Sequence, residues 1–179
     1  MNVGKRFENN FRDSVPDDVL YYRLRDSAQS FGAVRANSEA NDTLRFSLKN
    51  PCDCFLFKSP VLYALELKSV GSTSISFERS ELEHGVIHFH QIEGLRDFAK
   101  HKNCIAGFLL NFRRKDESET CYFLHINDFL CMISNISKKS FNEKDLAAYH
   151  PIVIKSRKKI VNYDYDVADF MHEAKSLYL

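Results

Sequence analysis

The chain has 179 residues, of which 44% are hydrophobic and 27% are charged, and its formal net charge is +1. That length suffices for a sizeable core, and we expect one domain over residues 1–179. The composition is that of an ordinary soluble globular protein. No apolar run approaches the roughly 20 residues that span a bilayer, and the near-neutral charge does not by itself indicate nucleic-acid binding.

The cysteines and the N-terminus predict a cytoplasmic protein. The five cysteines are odd in number and lie in apolar runs, which is typical of reduced, mostly buried thiols. The segment from Met1 to Glu8 lacks the apolar core of a signal peptide. There is no Cys-x-x-Cys pair for a structural zinc site and no Gly-x-x-x-x-Gly-Lys-Ser/Thr loop, so we expect no nucleotide cofactor.

Residue periodicity predicts a mixed order of helices and strands along the chain. In sequence order we expect a helix over 4–14, a strand over 19–25, a long loop or projecting excursion over 27–43, a short strand over 44–48, strands over 53–58 and 61–67, a flexible loop over 69–76, a helix over 89–101, strands over 104–112 and 121–126, a helix capped by Asn127-Asp128 and ending near 133, a short helix opened by Asn142, a strand over 159–163, and an amphipathic helix over 167–177.

The most informative pattern lies in the strands over 53–58 and 61–67. These apolar runs meet at Ser59-Pro60, a turn signal, where a wider loop or a cis bond is expected because proline disfavours the third position of a type I turn. Folding the two runs as a hairpin places Asp53 opposite Glu66, with Cβ atoms roughly 4.5–5.5 Å apart. Two unpaired carboxylates at that distance repel each other, and a bound divalent cation removes the repulsion.

Strand alternation defines the surroundings of this acidic pair. Glu66 and Lys68 share one face of their strand, while the alternate residues form the core face, namely Val61, Tyr63, Leu65 and Leu67. Mg²⁺ suits the carboxylates because it prefers oxygen ligands and keeps several waters. Lys68 would stand beside the metal and orient the attacking water or stabilise charge on a phosphate. The alternative is an exposed Glu and Lys at a strand end, with Asp53 a turn residue.

Two further groups of residues have a structural and a functional interpretation. The histidines His84, His88 and His90 lie close enough in sequence to suggest a metal site, but surface or packed histidines are the more common outcome. Clusters of basic residues are by default solvated faces, and they form a phosphate-binding surface only where several lie beside the acidic site. The clusters are Lys5-Arg6, Arg23 with Arg25, Arg113-Arg114-Lys115, Lys138-Lys139, and Lys155 with Arg157-Lys158-Lys159.

Motifs spread over most of the chain resemble one known family. Asn2-x-Gly4-Lys5-x-Phe7-Glu8, Asp53 with Glu66-Leu67-Lys68 thirteen residues later, His90-Gln91-Ile92, Ala106–Phe112 and Tyr122–Leu130 are similar to segments of the RecU family of Holliday junction resolvases. The chain resembles a compact phage or prophage-type member. The resemblance implies a restriction-endonuclease-like α/β fold of the PD-(D/E)xK superfamily, in which a central mixed sheet is flanked by helices and a stalk projects, here at about 27–43.

The same resemblance implies the function and the site. Glu8, Asp53, Glu66, Lys68 and Gln91 would be the catalytic residues of a structure-selective endonuclease that resolves four-way DNA junctions. Asp53, Glu66 and the carbonyl of Leu67 would hold Mg²⁺, with Mn²⁺ as a substitute, and two symmetric cuts imply a homodimer. Two alternatives remain open: a related nuclease acting on other DNA, and a non-catalytic DNA-binding accessory protein of recombination.

Overall fold

The structure is a computed structural model that describes residues 3–24 and 49–179. The predicted excursion over 27–43 and the predicted strand over 44–48 lie outside the described residues. The strands are β1 Leu20–Arg23, β2 Cys54–Lys58, β3 Val61–Val70, β4 Ser74–Ser76, β5 Cys104–Arg113, β6 Glu119–His125, β7 Ser140–Asn142, β8 Ile152–Ile154, β9 Ser156–Lys158 and β10 Tyr163–Tyr165. The helices are α1 Val3–Asp13, α2 Phe89–Phe98, α3 Ile126–Asn135, α4 Glu143–Leu146 and α5 Val167–Tyr178, and a 3-10 turn covers Ala147–Tyr149.

A six-stranded sheet in the order β1-β2-β3-β5-β6-β8 forms the centre of the molecule. The β3–β5 pair is parallel, and the other neighbours in this sheet are antiparallel. Parallel neighbours require a crossover connection, and α2 lies within the segment that joins β3 to β5. The predicted α/β fold with a central mixed sheet flanked by helices is therefore confirmed.

Both faces of this sheet are buried, each by its own apolar cluster. One cluster packs α1 and α5 against the sheet and includes Phe7, Phe11 and Phe170. The other packs α2 and α3 against the opposite face and includes Leu95 and Phe129. The residues predicted as the core face of β3 all belong to the first cluster, which confirms the alternation: Val61, Tyr63, Leu65 and Leu67. The face that carries Glu66 is thus also covered, by the second cluster.

Three local predictions are wrong. The segment over 69–76 is not a flexible loop, because β3 continues to Val70 and β4 pairs with β7. The predicted strand over 159–163 is instead the turn between β9 and β10. Helix α3 begins one residue before the predicted cap, since the ring Nδ1 of His125 accepts a hydrogen bond from the N–H of Asn127 at 3.2 Å.

No helix within residues 3–24 and 49–179 is long and apolar enough to cross a membrane.

Candidate active site

The candidate site lies where β3 extends beyond β2. The hairpin pairs Cys54 with Leu65, the predicted register, and the Ser59-Pro60 peptide bond is cis. The N–H of Asp53 donates to the carbonyl of Leu65 at 3.1 Å, so Asp53 still contacts β3 although it precedes β2. From Glu66 to Val70 the strand is paired with β5, whereas β2 has already ended. Within residues 3–24 and 49–179, no strand pairs with this second edge of β3 from Glu66 onward.

The side chain of Asp53 occupies that edge. Its Oδ2 accepts a hydrogen bond of 2.7 Å from the backbone N–H of Leu67. Because the N–H and C=O of one strand residue point to the same side of the strand, the carbonyl of Leu67 also opens toward Asp53. The predicted oxygen donors of Asp53 and Leu67 thus share one side of β3.

Glu66 is the buried centre of the site, with a side chain 3% exposed. Its Oε1 accepts hydrogen bonds from the side-chain amide of Gln91 at 2.5 Å and from the ammonium of Lys68 at 2.8 Å. Lys68 is itself largely covered, its side chain being 14% exposed. The structure thus brings together four of the predicted residues, Asp53, Glu66, Lys68 and Gln91, and the alternative of an exposed Glu and Lys at a strand end is wrong.

Burial governs the protonation of the two acids. Burial raises the pKa of Glu66, the ammonium of Lys68 opposes this rise, and the charge of Asp53 adds to it, so that the pKa lies at about 8. Burial also raises the pKa of Asp53, against the hydrogen bond from Leu67 and the charge of Lys68. Without a cation the pair therefore retains a proton near neutral pH, as expected for two carboxylates sharing one site.

The donor set fits magnesium better than zinc. Nowhere in the described chain do three His, Cys, Asp or Glu side chains gather so that they could hold a metal ion. Mg²⁺ is commonly bound through one or two carboxylates, with waters and substrate phosphates completing its shell, and Asp53 and Glu66 supply two. The retained proton is a second point of agreement, because a divalent cation would take its place.

Glu8 reaches the site from α1 through an arginine that sequence reasoning did not connect to it. Its Oε2 lies 2.6 Å from the guanidinium of Arg23. Arg23 pairs with Cys54 in the sheet, next to Asp53, and its charge opposes the rise that burial causes in the pKa of Asp53. Arg23 thus interacts with both acids, and the role of Glu8 as a further acid of the site stays a prediction.

Glu78 was also missed, and it fixes the start of α2. Its carboxylate accepts hydrogen bonds from the N–H groups of Gly85 and Phe89, and the Nδ1 of His88 lies 2.7 Å from its Oε1. The N–H of His88 in turn donates to the side-chain oxygen of Gln91 at 2.9 Å. Both ends of the Gln91 amide are therefore held, one by His88 and the other by Glu66. No signal in the sequence marked Glu78, because its partners lie seven to eleven residues away on a loop and a helix end.

A glycine lets α2 approach the segment that precedes Asp53. A Cβ atom at Gly94 would lie 2.6 Å from the Cβ of Pro51. That distance is too short for any side chain larger than hydrogen, so Gly94 permits the close packing of α2 on this segment. The helix that carries Gln91 and the turn that carries Asp53 are thus positioned by direct contact.

Comparisons with known proteins give one close relative. No family model matches the chain. The SPbeta prophage-derived uncharacterized protein YotM of Bacillus subtilis (strain 168) is 37% identical over 177 residues, which cover 92% of this chain and 82% of the relative. Among solved structures, Hjc, a Holliday junction resolvase from the archaeal hyperthermophile Archaeoglobus fulgidus, matches with a TM-score of 0.42 and 14% identity, covering 81% of this chain and 93% of that one.

Proposed function

The chain belongs to the same family as the SPbeta prophage-derived protein YotM, and we propose that it is a metal-dependent endonuclease that hydrolyses phosphodiester bonds in DNA. The observation that carries this proposal is the grouping of Asp53, Glu66, Lys68 and Gln91 where β3 extends beyond β2. A protein that only binds DNA gains nothing from burying two neighbouring carboxylates, because their repulsion and desolvation destabilise the fold.

In this proposal Asp53 and Glu66, with the carbonyl of Leu67, hold the metal ion. When bound, Mg²⁺ would supply a Lewis acid for the phosphate and lower the pKa of a coordinated water. The hydrogen bond from Leu67 fixes the orientation of Asp53, and Gln91 does the same for Glu66. The two carboxylates are therefore preorganised by the backbone and by a neighbouring helix.

Lys68 is the residue best placed to act on the attacking water or the phosphate. An ammonium group has three hydrogens, and the contact with Glu66 uses one of them. The remaining donors can orient a water or bind a phosphate oxygen whose negative charge grows during the reaction. Because Lys68 is mostly buried, its charge acts in a medium less polarisable than water, where such stabilisation is stronger.

The finer proposal is a Holliday junction resolvase of the RecU type, acting in recombination and repair. The motifs that resemble RecU support it, and the prophage origin of the relative is consistent with the phage-type member expected from the sequence. Resolution of a four-way junction needs two symmetric cuts, so we propose a two-fold homodimer. Mg²⁺ is the proposed cofactor, with Mn²⁺ as a substitute, and the cytoplasm is the proposed location.

Cleavage of a mobile synthetic four-way junction, compared with a linear duplex, tests this function. Both substrates are incubated with the full chain in Mg²⁺, Mn²⁺ or EDTA. Paired symmetric nicks on the junction alone, dependent on metal, are expected for a resolvase. Equal cutting of the duplex would preserve the nuclease and remove the junction selectivity. Binding of the junction with no cutting in any metal would favour the accessory protein and overturn the proposal.

A further inference from the structure

The hairpin formed by β9 and β10 is basic, has an apolar tip and lies outside the candidate active site. The strands β9 and β10 pair Lys158 with Tyr163, and the N–H of Lys159 donates to the carbonyl of Asn162 at 2.7 Å to close the turn. At its tip Ile160 is 96% exposed and Val161 is 62% exposed. Turns of this kind usually carry Gly, Asn, Asp or Ser, so two β-branched apolar residues here have no evident role in folding.

Beside this hairpin is a cavity of about 290 Å³ with more positive than negative side chains. Its charged lining comprises Arg6, Arg113, Arg114 and Lys158, with Glu117 and Glu119. Lys158 contacts Glu117 at 2.8 Å, Arg114 contacts Glu143 at 3.0 Å, and the hydroxyl of Tyr165 donates to Glu119. Among the ion pairs formed within residues 3–24 and 49–179, none involves Arg6 or Arg113.

Arg113 is held in place by a chain of hydrogen bonds that includes Ser69 of β3. Its Nε donates to the hydroxyl of Ser69 at 3.0 Å, and that hydroxyl donates to the side-chain oxygen of Asn111 at 2.9 Å. Asn111 is completely buried. Ser69 directly follows Lys68 on β3, so the cationic cavity adjoins the end of the strand that carries the candidate site.

We propose that this cavity binds the phosphate backbone of a DNA arm leading away from the candidate active site, with Ile160 and Val161 placed against its groove. The inference rests on the proposed function, which it extends by a binding surface. Arginine suits the task because its planar guanidinium binds phosphate oxygens in pairs. Apolar side chains beside such contacts recur where proteins press against the minor groove and unstack a base step.

The salt dependence of DNA binding tests the cavity. Affinity for a fluorescein-labelled duplex is measured by anisotropy in EDTA over a series of salt concentrations. The logarithm of the affinity falls with the logarithm of the salt concentration, and each phosphate contact makes this negative slope steeper by about 0.9. The double variant Arg6→Gln with Arg113→Gln should therefore make the slope less steep by about two. The matched control is Lys100→Gln with Lys102→Gln, which removes the same amount of charge. These lysines precede Cys104, the first residue of β5, whereas Arg113 is its last residue. We expect the control to keep the wild-type slope.

The exposed tip provides a second test that does not depend on core packing. Ile160→Asp should weaken duplex binding roughly tenfold, because a carboxylate would face phosphates. Its control is Leu177→Asp, which places a carboxylate at an exposed position on α5. This helix lies away from the basic hairpin, because its residues Met171 and Lys175 line a cavity with Ser59, in the turn between β2 and β3.

The outcomes separate this inference from the proposed function. If the wild-type chain binds and cuts DNA while the cavity variant and Ile160→Asp match their controls, the binding surface is wrong and the nuclease stands. If the wild-type chain does not bind DNA at all, the proposed function fails and the surface fails with it. Thermal melting of each variant identifies any that does not fold. If the cavity variant does not fold, the comparison of Ile160→Asp with Leu177→Asp tests the binding surface.

Discussion

Replacing Glu66 by glutamine should make the metal-free protein less sensitive to alkaline pH. Burial and the charge of Asp53 raise the pKa of Glu66 from its ordinary value of 4.5 to about 8. The unfolded chain releases this proton near the ordinary value, whereas the folded chain keeps it. The stability due to the proton is therefore complete below pH 4.5 and is lost as the pH rises through about 8.

The size of this loss follows from the difference between the two pKa values. At about 1.4 kcal/mol for each pH unit, the free energy of unfolding falls by roughly 5 kcal/mol across that range. Glutamine cannot ionise, yet it keeps an oxygen that can accept the hydrogen bond from Gln91. The quantity compared is the change in the free energy of unfolding with pH. Below pH 8 the side chain at position 66 is uncharged in both proteins, so its contact with Lys68 does not distinguish them there.

Urea denaturation in EDTA, at about pH 5.5 and about pH 8.5, measures this difference. The wild-type protein should lose several kcal/mol between the two conditions relative to Glu66→Gln. Glu93→Gln serves as the control because it makes the same chemical change on an exposed side chain of α2. When Mg²⁺ at about 100 times its dissociation constant replaces EDTA, the free energy of unfolding of the wild-type protein at the higher pH should rise by about 2.7 kcal/mol. Parallel pH dependences for the wild-type protein and Glu66→Gln would show that Glu66 does not hold a proton in the folded protein at neutral pH.

Three further predictions follow from single contacts. Lys68→Ala should reduce cleavage about 10²- to 10³-fold while junction binding persists, as seen by single-turnover assays and anisotropy; unchanged cleavage would remove Lys68 from the reaction. Glu78→Gln should lower the free energy of unfolding by about 1–3 kcal/mol in urea, because it weakens the charged contacts with His88 and Phe89; a neutral effect would show that the start of α2 is held elsewhere. Burial lowers the pKa of His125 below its ordinary value of 6.5, so the wild-type protein should lose stability as the pH falls below 6.5, and His125→Asn should lose less; equal acid sensitivity in urea melts would contradict this.

The sequence predicted the geometry of the acidic pair because two short-range rules determine it. A turn at Ser59-Pro60 sets the register, which the structure follows as far as Cys54 and Leu65, and Asp53 and Glu66 are the next residues along the two runs. The same period assigned Leu67 and its alternate neighbours to the core face. These features depend on residues close together in the chain.

The burial of Glu66 could not be predicted in the same way. It results from α2 and its cluster packing over that face of β3, and a helix packed from a distant part of the chain leaves no period in the strand itself. The contact of Arg23 with Glu8 and the role of Glu78 were missed for a related reason, since both arise from contacts between separate elements. The wrong strand over 159–163 reflects Ile160 and Val161, whose β-branched side chains are typical of strands although here they form an exposed turn.

Cleavage of a four-way junction in Mg²⁺ by Glu66→Gln, compared with Glu93→Gln, tests whether the acidic pair carries out the reaction. Both variants replace one glutamate by its amide, but only the first removes an acid from the candidate site. We expect Glu66→Gln still to bind the junction and no longer to cut it, while Glu93→Gln cuts at the wild-type rate. Cleavage by Glu66→Gln at the wild-type rate would show that the chemistry does not take place at Asp53 and Glu66.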